Sequence, residues 1–524
     1  MLRATLPVRR LFVTTAACLA AVVVFLLVTV PPNPLEIPLD AVQQDLRRRT
    51  VRGAYHVHTV VSDGAGDRGE VAAAAARAGL QFVIFTDHGD GTRQPHPAEY
   101  LNGVLCLDGV EISTNGGHYV AIDMPAAPYP LGGEAASVVE DVARLGGFGI
   151  AAHPDHLRPD LAWHDWSAPV DGLEWINLDS EWRDEGKLAL LRAPFDYLVR
   201  PAATIASLLD RPVRTLDRWD ALEKTRRIVA LAAVDAHGTG RRNDGGRAAR
   251  LGIGPGYEAS FRTISNHVLL EEALSGDAPG DARRLLDAIR RGRVYSVVDA
   301  IARGAVLRIS PTGEGFELAS PLPSGASPVR LSGNGRSRLE IHLATAPGAP
   351  PVPWIVSNWS GDTRIPAVPP LPEPSIAQPL GLSSPWRVEK DPVSSGQVSV
   401  DGEAATLHYV LAEVRNSQFV AAAADLTVQK PFAAMAFEAR AVRPMRVSVQ
   451  LRFPDDRRWV KSVYLDAKER QVIVPVGEMV PANRLEGPTP DPAGATAVLF
   501  VVDLVNTRPG DSGSLSISNL RRIQ

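Results

Sequence analysis

From Leu11 to Val30 the chain runs LFVTTAACLAAVVVFLLVTV without a charge. As a helix, about 20 such residues span one bilayer core of about 30 Å. The extended PPNPLEIPLD follows. From about Arg52 to about Val298, short apolar runs alternate with helical patterns. DRGEVAAAAARAG predicts a helix with Asp67 as N-cap, Glu70 completing a capping box and Gly79 closing it. QFVIFTDH then reads as a buried strand, GGEAASVVEDVARLGG as a helix, and FGIAAHPDH, GLEWIN and IVALAAVDAHG as further strands. DARRLLDAIRRGRVY predicts a late helix. This alternation predicts an α/β fold with a parallel sheet or barrel.

Beyond about residue 300 the pattern changes. SRLEIHLAT and MRVSVQLRF alternate with period two, TAVLFVVDL is a continuous apolar strand, and helical patterns are scarce. Pro-rich stretches punctuate them. The expected organisation is a cytoplasmic start and transmembrane anchor or signal over 1–30, a linker over 31–50 and an α/β domain over 51–299. A β-sandwich module over 300–365, a Pro-rich linker over 366–380 and a jelly-roll-like sandwich over 381–524 complete it.

Charge orients the first segment. Arg3, Arg9 and Arg10 precede the apolar run, which places them on the cytoplasmic side and the remainder outside. The expectation is a single-pass, extracytoplasmic, membrane-anchored protein. A cleaved signal peptide is the alternative, although no A-x-A site follows the run. Thr15 is a poor residue three places before a lipoprotein cysteine at Cys18, and RRLFV is a weak twin-arginine pattern. A length of 524 residues allows roughly three domains. The net charge of −4 gives no basis for expecting nucleic-acid duplex binding. Two cysteines, Cys18 and Cys106, exclude a disulfide framework.

The candidate chemistry lies at the ends of the apolar runs. HVHTVVSD supplies His56, His58 and Asp63, FTDH supplies His88, and VEISTNGGHY supplies Glu111 and His118. IAAHPDH supplies His153, and AAVDAHG supplies Asp235 and His237. Strand alternation puts His56 and His58 on one face. In a parallel barrel all strand C-termini open onto one face, so the nine would converge there. Mixed imidazole and carboxylate ligands suit zinc, manganese or iron better than calcium. His156 follows Pro154 in a turn beside this set. His96, His164 and His267 read as structural or exposed, and His342 and His408 as surface residues. Asp87 is a candidate to orient His88. Arg241 and Arg242, on a Gly-rich loop after the last ligands, are substrate-binding candidates set against solvated loop charge.

In order, HxH…SD, TDH, VE…GH, HP and DxH resemble the PHP (polymerase and histidinol phosphatase) superfamily over about residues 50–300, and PWIVSN (353–358) resembles the trailing β-module of some exported members. The resemblance implies a distorted seven-stranded barrel holding up to three divalent ions, zinc, manganese or iron. It places His56, His58, Glu111 and Asp235 on one ion and Glu111, His118 and His153 on a second. Asp63, His88 and His237 would hold the third. The implied activity is phosphoester hydrolysis of a phosphorylated small molecule or nucleotide by metal-activated water. His153, His237 and Asp235 are the catalytic candidates. The alternatives are a non-catalytic metal-containing module recognising an envelope polymer, and a hydrolase of a non-phosphate bond. The last module resembles carbohydrate-binding jelly rolls, with Trp386 and Trp459 as candidate sugar-stacking residues.

Overall fold

The computed structural model describes residues 5–39, 41–183, 186–238, 255–309, 316–318, 322–333, 335–345, 349–361, 377–414, 417–427, 430–482 and 491–524. Two helices come first, α1 (Thr5–Thr29) and α2 (Ala41–Arg49). The principal strands that follow are β1 (Thr50–Val57), β2 (Phe82–Phe85), β3 (Val104–Thr114), β4 (Gly117–Ile122), β5 (Phe148–Ala151), β6 (Gly172–Asn177) and β7 (Val229–Ala233). They continue as β8 (Ser265–Leu269), β9 (Val294–Val297), β10 (Ser327–Gly333), β11 (Arg336–Ala344) and β12 (Pro351–Ser357). Helices α3 (Arg68–Arg77), α4 (Ala135–Arg144) and α5 (Ala278–Arg290) pack around them.

These strands belong to one 14-stranded sheet, in the order β10-β11-β12-β9-β8-β1-β2-β3-β4-β5-β6-β7 along its main path. Pairs β1/β2, β2/β3, β5/β6 and β6/β7 are parallel. Pairs β3/β4, β4/β5, β1/β8, β8/β9 and β9/β12 are antiparallel. The sheet curls until its last strand meets its middle: Val234 N donates to Tyr55 O at 3.1 Å and His58 N to Ala236 O at 3.0 Å. This closure sets the end of β1 beside the end of β7. The capping box at Asp67 forms as expected, with Glu70 N donating to Asp67 Oδ1 at 2.9 Å and Asp67 N to Glu70 Oε2 at 3.0 Å.

The expected architecture is corrected in three respects. First, the chain is not a parallel α/β PHP-type barrel trailed by separate modules. It is 38% strand and 22% helix, and its large sheet is mixed. Second, residues 300–365 do not form a sandwich of their own. β12 pairs with β9, and the Asn358 side chain donates to Ala230 O (2.9 Å) and Val294 O (2.9 Å) and accepts from Ala230 N (2.7 Å). That amide satisfies backbone groups of both β7 and β9, so the segment is sewn into the main sheet. Third, among the described residues no helix is long and apolar enough to cross a membrane. The reading of a single-pass anchored protein with its N-terminus inside is corrected with it.

Residues 377–523 form one sandwich of two six-stranded sheets around Leu407, Met435, Phe437, Val447, Phe500 and Leu515. Most of the expected 366–380 linker lies outside the described residues, and its end, Ala377–Pro379, is a strand paired with Ser512–Ile523. The sandwich docks on α4. Arg446 reaches Asp141 and Glu140, each at 2.8 Å, and the Arg144 guanidinium lies 3.4 Å from the Tyr464 ring centroid.

Candidate metal centre

All nine candidate ligands converge. Four overlapping groups present ligand atoms within 4.8 Å of one another: His58, Asp63, His88 and His237; His56, Glu111 and His153; His56, His58 and Asp235; and His88, Glu111 and His118. The partition differs from the one the resemblance implies. His153 groups with His56 and Glu111, while His118 groups with His88 and Glu111.

Glu111, 1% exposed, is the hub. Its Oε1 lies 2.7 Å from His118 Nδ1 and 2.9 Å from His153 Nε2. Its Oε2 lies 3.1, 3.2 and 3.3 Å from His88 Nδ1, His56 Nε2 and His58 Nε2. Burial alone would raise its pKa, but the surrounding imidazoles, His56 and His88 foremost, hold it well below the carboxylate range. Asp235 behaves likewise under His56 and His58. Burial lowers His58, and the neighbouring His237 lowers it further, the two rings stacking at 4.3 Å. His237 moves the other way. Burial opposes its charge, yet Asp63 and Asp235 push it up to about 9.

The donor set fits a metal on an observation independent of spacing. His56 Nε2, His58 Nε2 and His153 Nδ1 are buried and have no hydrogen-bond partner. Buried imidazole nitrogens left unpaired are costly. At His56 and His58 these atoms point among carboxylate oxygens at ion-pair distance, where a cation would satisfy both sets.

Plain strand alternation is not what aims the ligands. His56 has φ 64°, and the β1/β2 register shifts between Tyr55 and Val57. His153 and Asp235 also have positive φ, 28° and 42°. Among the described residues, His56 and His153 are the only positive-φ residues that are neither Gly, Asn nor Asp. Such strain persists where surrounding structure enforces it, and it clusters at functional sites.

Sequence reasoning missed Glu174 and Asn177. Glu174 on β6 is fully buried; its Oε1 lies 2.5 Å from His56 Nδ1 and its Oε2 accepts from His153 N at 2.7 Å. Asn177 Nδ2 donates to Glu174 Oε2 (2.9 Å) and Asp235 Oδ2 (3.2 Å). The available signal was an acidic residue inside the apolar run GLEWIN. Asp87 does not orient His88. It accepts from Thr59 N (2.7 Å), the Thr59 hydroxyl (2.7 Å) and the Ser62 hydroxyl (2.6 Å), fixing the loop between His58 and Asp63. His156 sits beside the cluster, its ring 5.5 Å from that of His153, and joins none of the four groups. Arg241 and Arg242 lie outside the described residues. A small cavity next to Asp235 and His237 is lined instead by Asp179, Trp182 and Arg183. Arg183 is held to Asp179 by two hydrogen bonds, 2.6 and 3.0 Å. In the sandwich, Trp459 is buried, which removes it as a sugar-stacking residue, and Trp386 is half-buried with its ring 5.9 Å from that of Phe500.

No family model and no curated protein matches this chain. Among solved structures, the family 11 carbohydrate-binding module of the cellulosomal cellulase Lic26A-Cel5E of Clostridium thermocellum is 12% identical, with 28% of this chain and 94% of that chain covered and a TM-score of 0.23. A mutant of a family 29 carbohydrate-binding module is 12% identical over 28% of this chain and 90% of its own, with a TM-score of 0.20. The agarase AgWH50C is 10% identical over 28% of this chain and 24% of its own, with a TM-score of 0.22. Likenesses of this size assign neither a ligand nor an activity to this chain.

Proposed function

We propose that the chain is a metal-dependent hydrolase whose substrate bond is a phosphoester. The observation that carries this reading is the convergence of nine imidazole and carboxylate ligands around Glu111, with buried ligand nitrogens that have no hydrogen-bond partner. His56, His58 and Asp235, Glu111 with His118, His153 and His88, and Asp63 with His237 would hold divalent ions of the zinc, manganese or iron class. Ions held there would supply a water of lowered pKa and charge to offset the oxygens of the reacting group.

The chain's own residues set the rest. The Asp235 carbonyl accepts from His237 Nδ1 at 3.0 Å, leaving Nε2 directed at Asp63. Glu174 holds the Nδ1 proton of His56 and so turns its Nε2 toward Glu111. The Arg183 guanidinium, fixed by Asp179 on the wall beside His237, supplies positive charge for an anionic substrate. His153, whose Nδ1 has no hydrogen-bond partner, is the candidate to pass a proton to the leaving oxygen, since both ring nitrogens of His237 are already assigned.

The test is turnover by the full chain with manganese or zinc against a phosphomonoester and a phosphodiester, with Asp235→Ala purified in parallel. Metal-dependent phosphate release by the wild type alone supports the proposal. Equal inactivity of both proteins would sink it.

A second reading keeps the centre but gives it a polymer, bound or cleaved at a non-phosphate bond. The docking of the sandwich favours it. Arg508 reaches Asp90, two residues after His88, at 3.1 Å, and Asn506 donates to Pro130 O at 2.9 Å. A polymer held by the sandwich would therefore lie in a fixed relation to the metal-ligand loop. Carbohydrate polymers belong in the same assay, with reducing-end release and retarded migration in polymer-containing gels as readouts.

A further inference from the structure

A second site lies at the other end of β1. His56 and His58 close the C-terminal end of this strand, whereas Thr50 and Arg52 open it, about 20 Å earlier at the usual strand rise. A cavity of about 440 Å³ sits there, lined among others by Arg47, Arg48, Arg52, Gln81, His267 and Tyr295. Its volume falls in the range of small-molecule sites, about 300–1,000 Å³.

Its chemistry is cationic. α2 ends in Arg47, Arg48 and Arg49, and the first two are exposed with no hydrogen-bond or ion-pair partner among the described residues. Arg52 pairs with Asp299 at 3.2 Å. One carboxylate thus stands against three guanidiniums around the cavity. The charges at the end of α2 would by themselves be explained as complements to the helix dipole. A second observation points to a ligand. His267, the cross-strand partner of Arg52, is 4% exposed and lines the cavity, and its Nε2 has no hydrogen-bond partner. Its nearest carboxylate oxygen, on Asp299, is 3.8 Å away, and Asp299 is already held by Arg52 and by the Ser265 hydroxyl at 2.5 Å. The Tyr295 ring, 5.0 Å from that of His267, and the side chains of Ala305 and Val306 add an apolar wall. Three guanidinium forks and an imidazole suit a tetrahedral dianion carried on a small organic body.

We propose that this cavity is a binding site for a phosphate-bearing small molecule, separate from the metal centre. It does not depend on the proposed hydrolase activity.

The test is calorimetric titration of the full chain, in the presence of chelator, with inorganic phosphate and with adenosine 5′-monophosphate. Saturable one-to-one binding is expected, tighter for the nucleotide if the apolar wall takes part and equal for the two if phosphate alone is recognised. Arg47→Gln/Arg48→Gln, on an exposed helix face, should weaken it at least about tenfold. His267→Asn should weaken it too, and Asp235→Ala should leave it unchanged. Circular dichroism of each variant reports that the fold is kept. The proposal is overturned if neither probe saturates by about 10 mM, or if binding is lost with Asp235→Ala and kept in the arginine double variant.

Discussion

Glu174 Oε1 stands 2.5 Å from His56 Nδ1, on the side of the ring away from Glu111. One carboxylate therefore fixes the tautomer of a ligand it does not share. The same Glu174 accepts from the backbone N of His153, a residue at φ 28°. It thus supports two strained ligand positions at once. Glu174→Gln should lower metal affinity by about 10–100-fold while leaving the ligand residues intact. Competition with a chromogenic chelator measures it, and an unchanged affinity would remove Glu174 from the site.

Glu111 presents its two oxygens to five imidazoles. Glu111→Gln should reduce bound metal by more than one equivalent, because two of the four ligand groups contain this residue. His118→Ala, present in one group only, should lose less. Elemental analysis of the dialysed proteins distinguishes them, and equal losses would contradict the hub arrangement.

The Arg446–Asp141 pair is buried on both sides, each side chain 1% exposed. Removing one partner of such a pair costs about 3–5 kcal/mol. Arg446→Ala should therefore detach the sandwich energetically from the large sheet. Calorimetry should resolve an earlier, separate unfolding transition, and a single unshifted transition would count against the docking seen here.

Burial pushes the Cys106 thiol up to about 11, with Arg68 opposing. At pH 8 about one molecule in a thousand then carries the thiolate there. A thiol reagent at that pH should label exposed Cys18 promptly and Cys106 only after unfolding. A raised acid pKa gives stability that is complete below the ordinary thiol value and is lost as pH climbs from about 9 through 11. Fast labelling of two thiols in the native chain would show that Cys106 is not shielded.

The nine ligand positions were legible as candidates because ligation demands particular side chains, and most sit near the end of an apolar run, although Glu111 lies within β3 and His118 opens β4. How they aim was not legible. Alternation predicts that His56 and His58 share a face, but the positive φ at His56 and the register shift beside it set their directions. Glu174 was hidden because a buried acid in GLEWIN looks like any interruption of a strand until His56 is placed against it. The fusion of residues 327–357 with the main sheet was equally invisible. It depends on Asn358 bonding backbone groups 128 and 64 residues away, and no local period records such a contact. Period-two alternation led to a free-standing sandwich because that pattern describes a segment without its neighbours.

The left-handed backbone at His56, His153 and Asp235 ties retention of the metal to continued selection. A Gly at any of these positions would relax the main chain and add stability while deleting a ligand. A lineage released from the need for the metal would therefore drift downhill at these three codons first. Which of them remain His or Asp in a relative reports whether its centre is still in use.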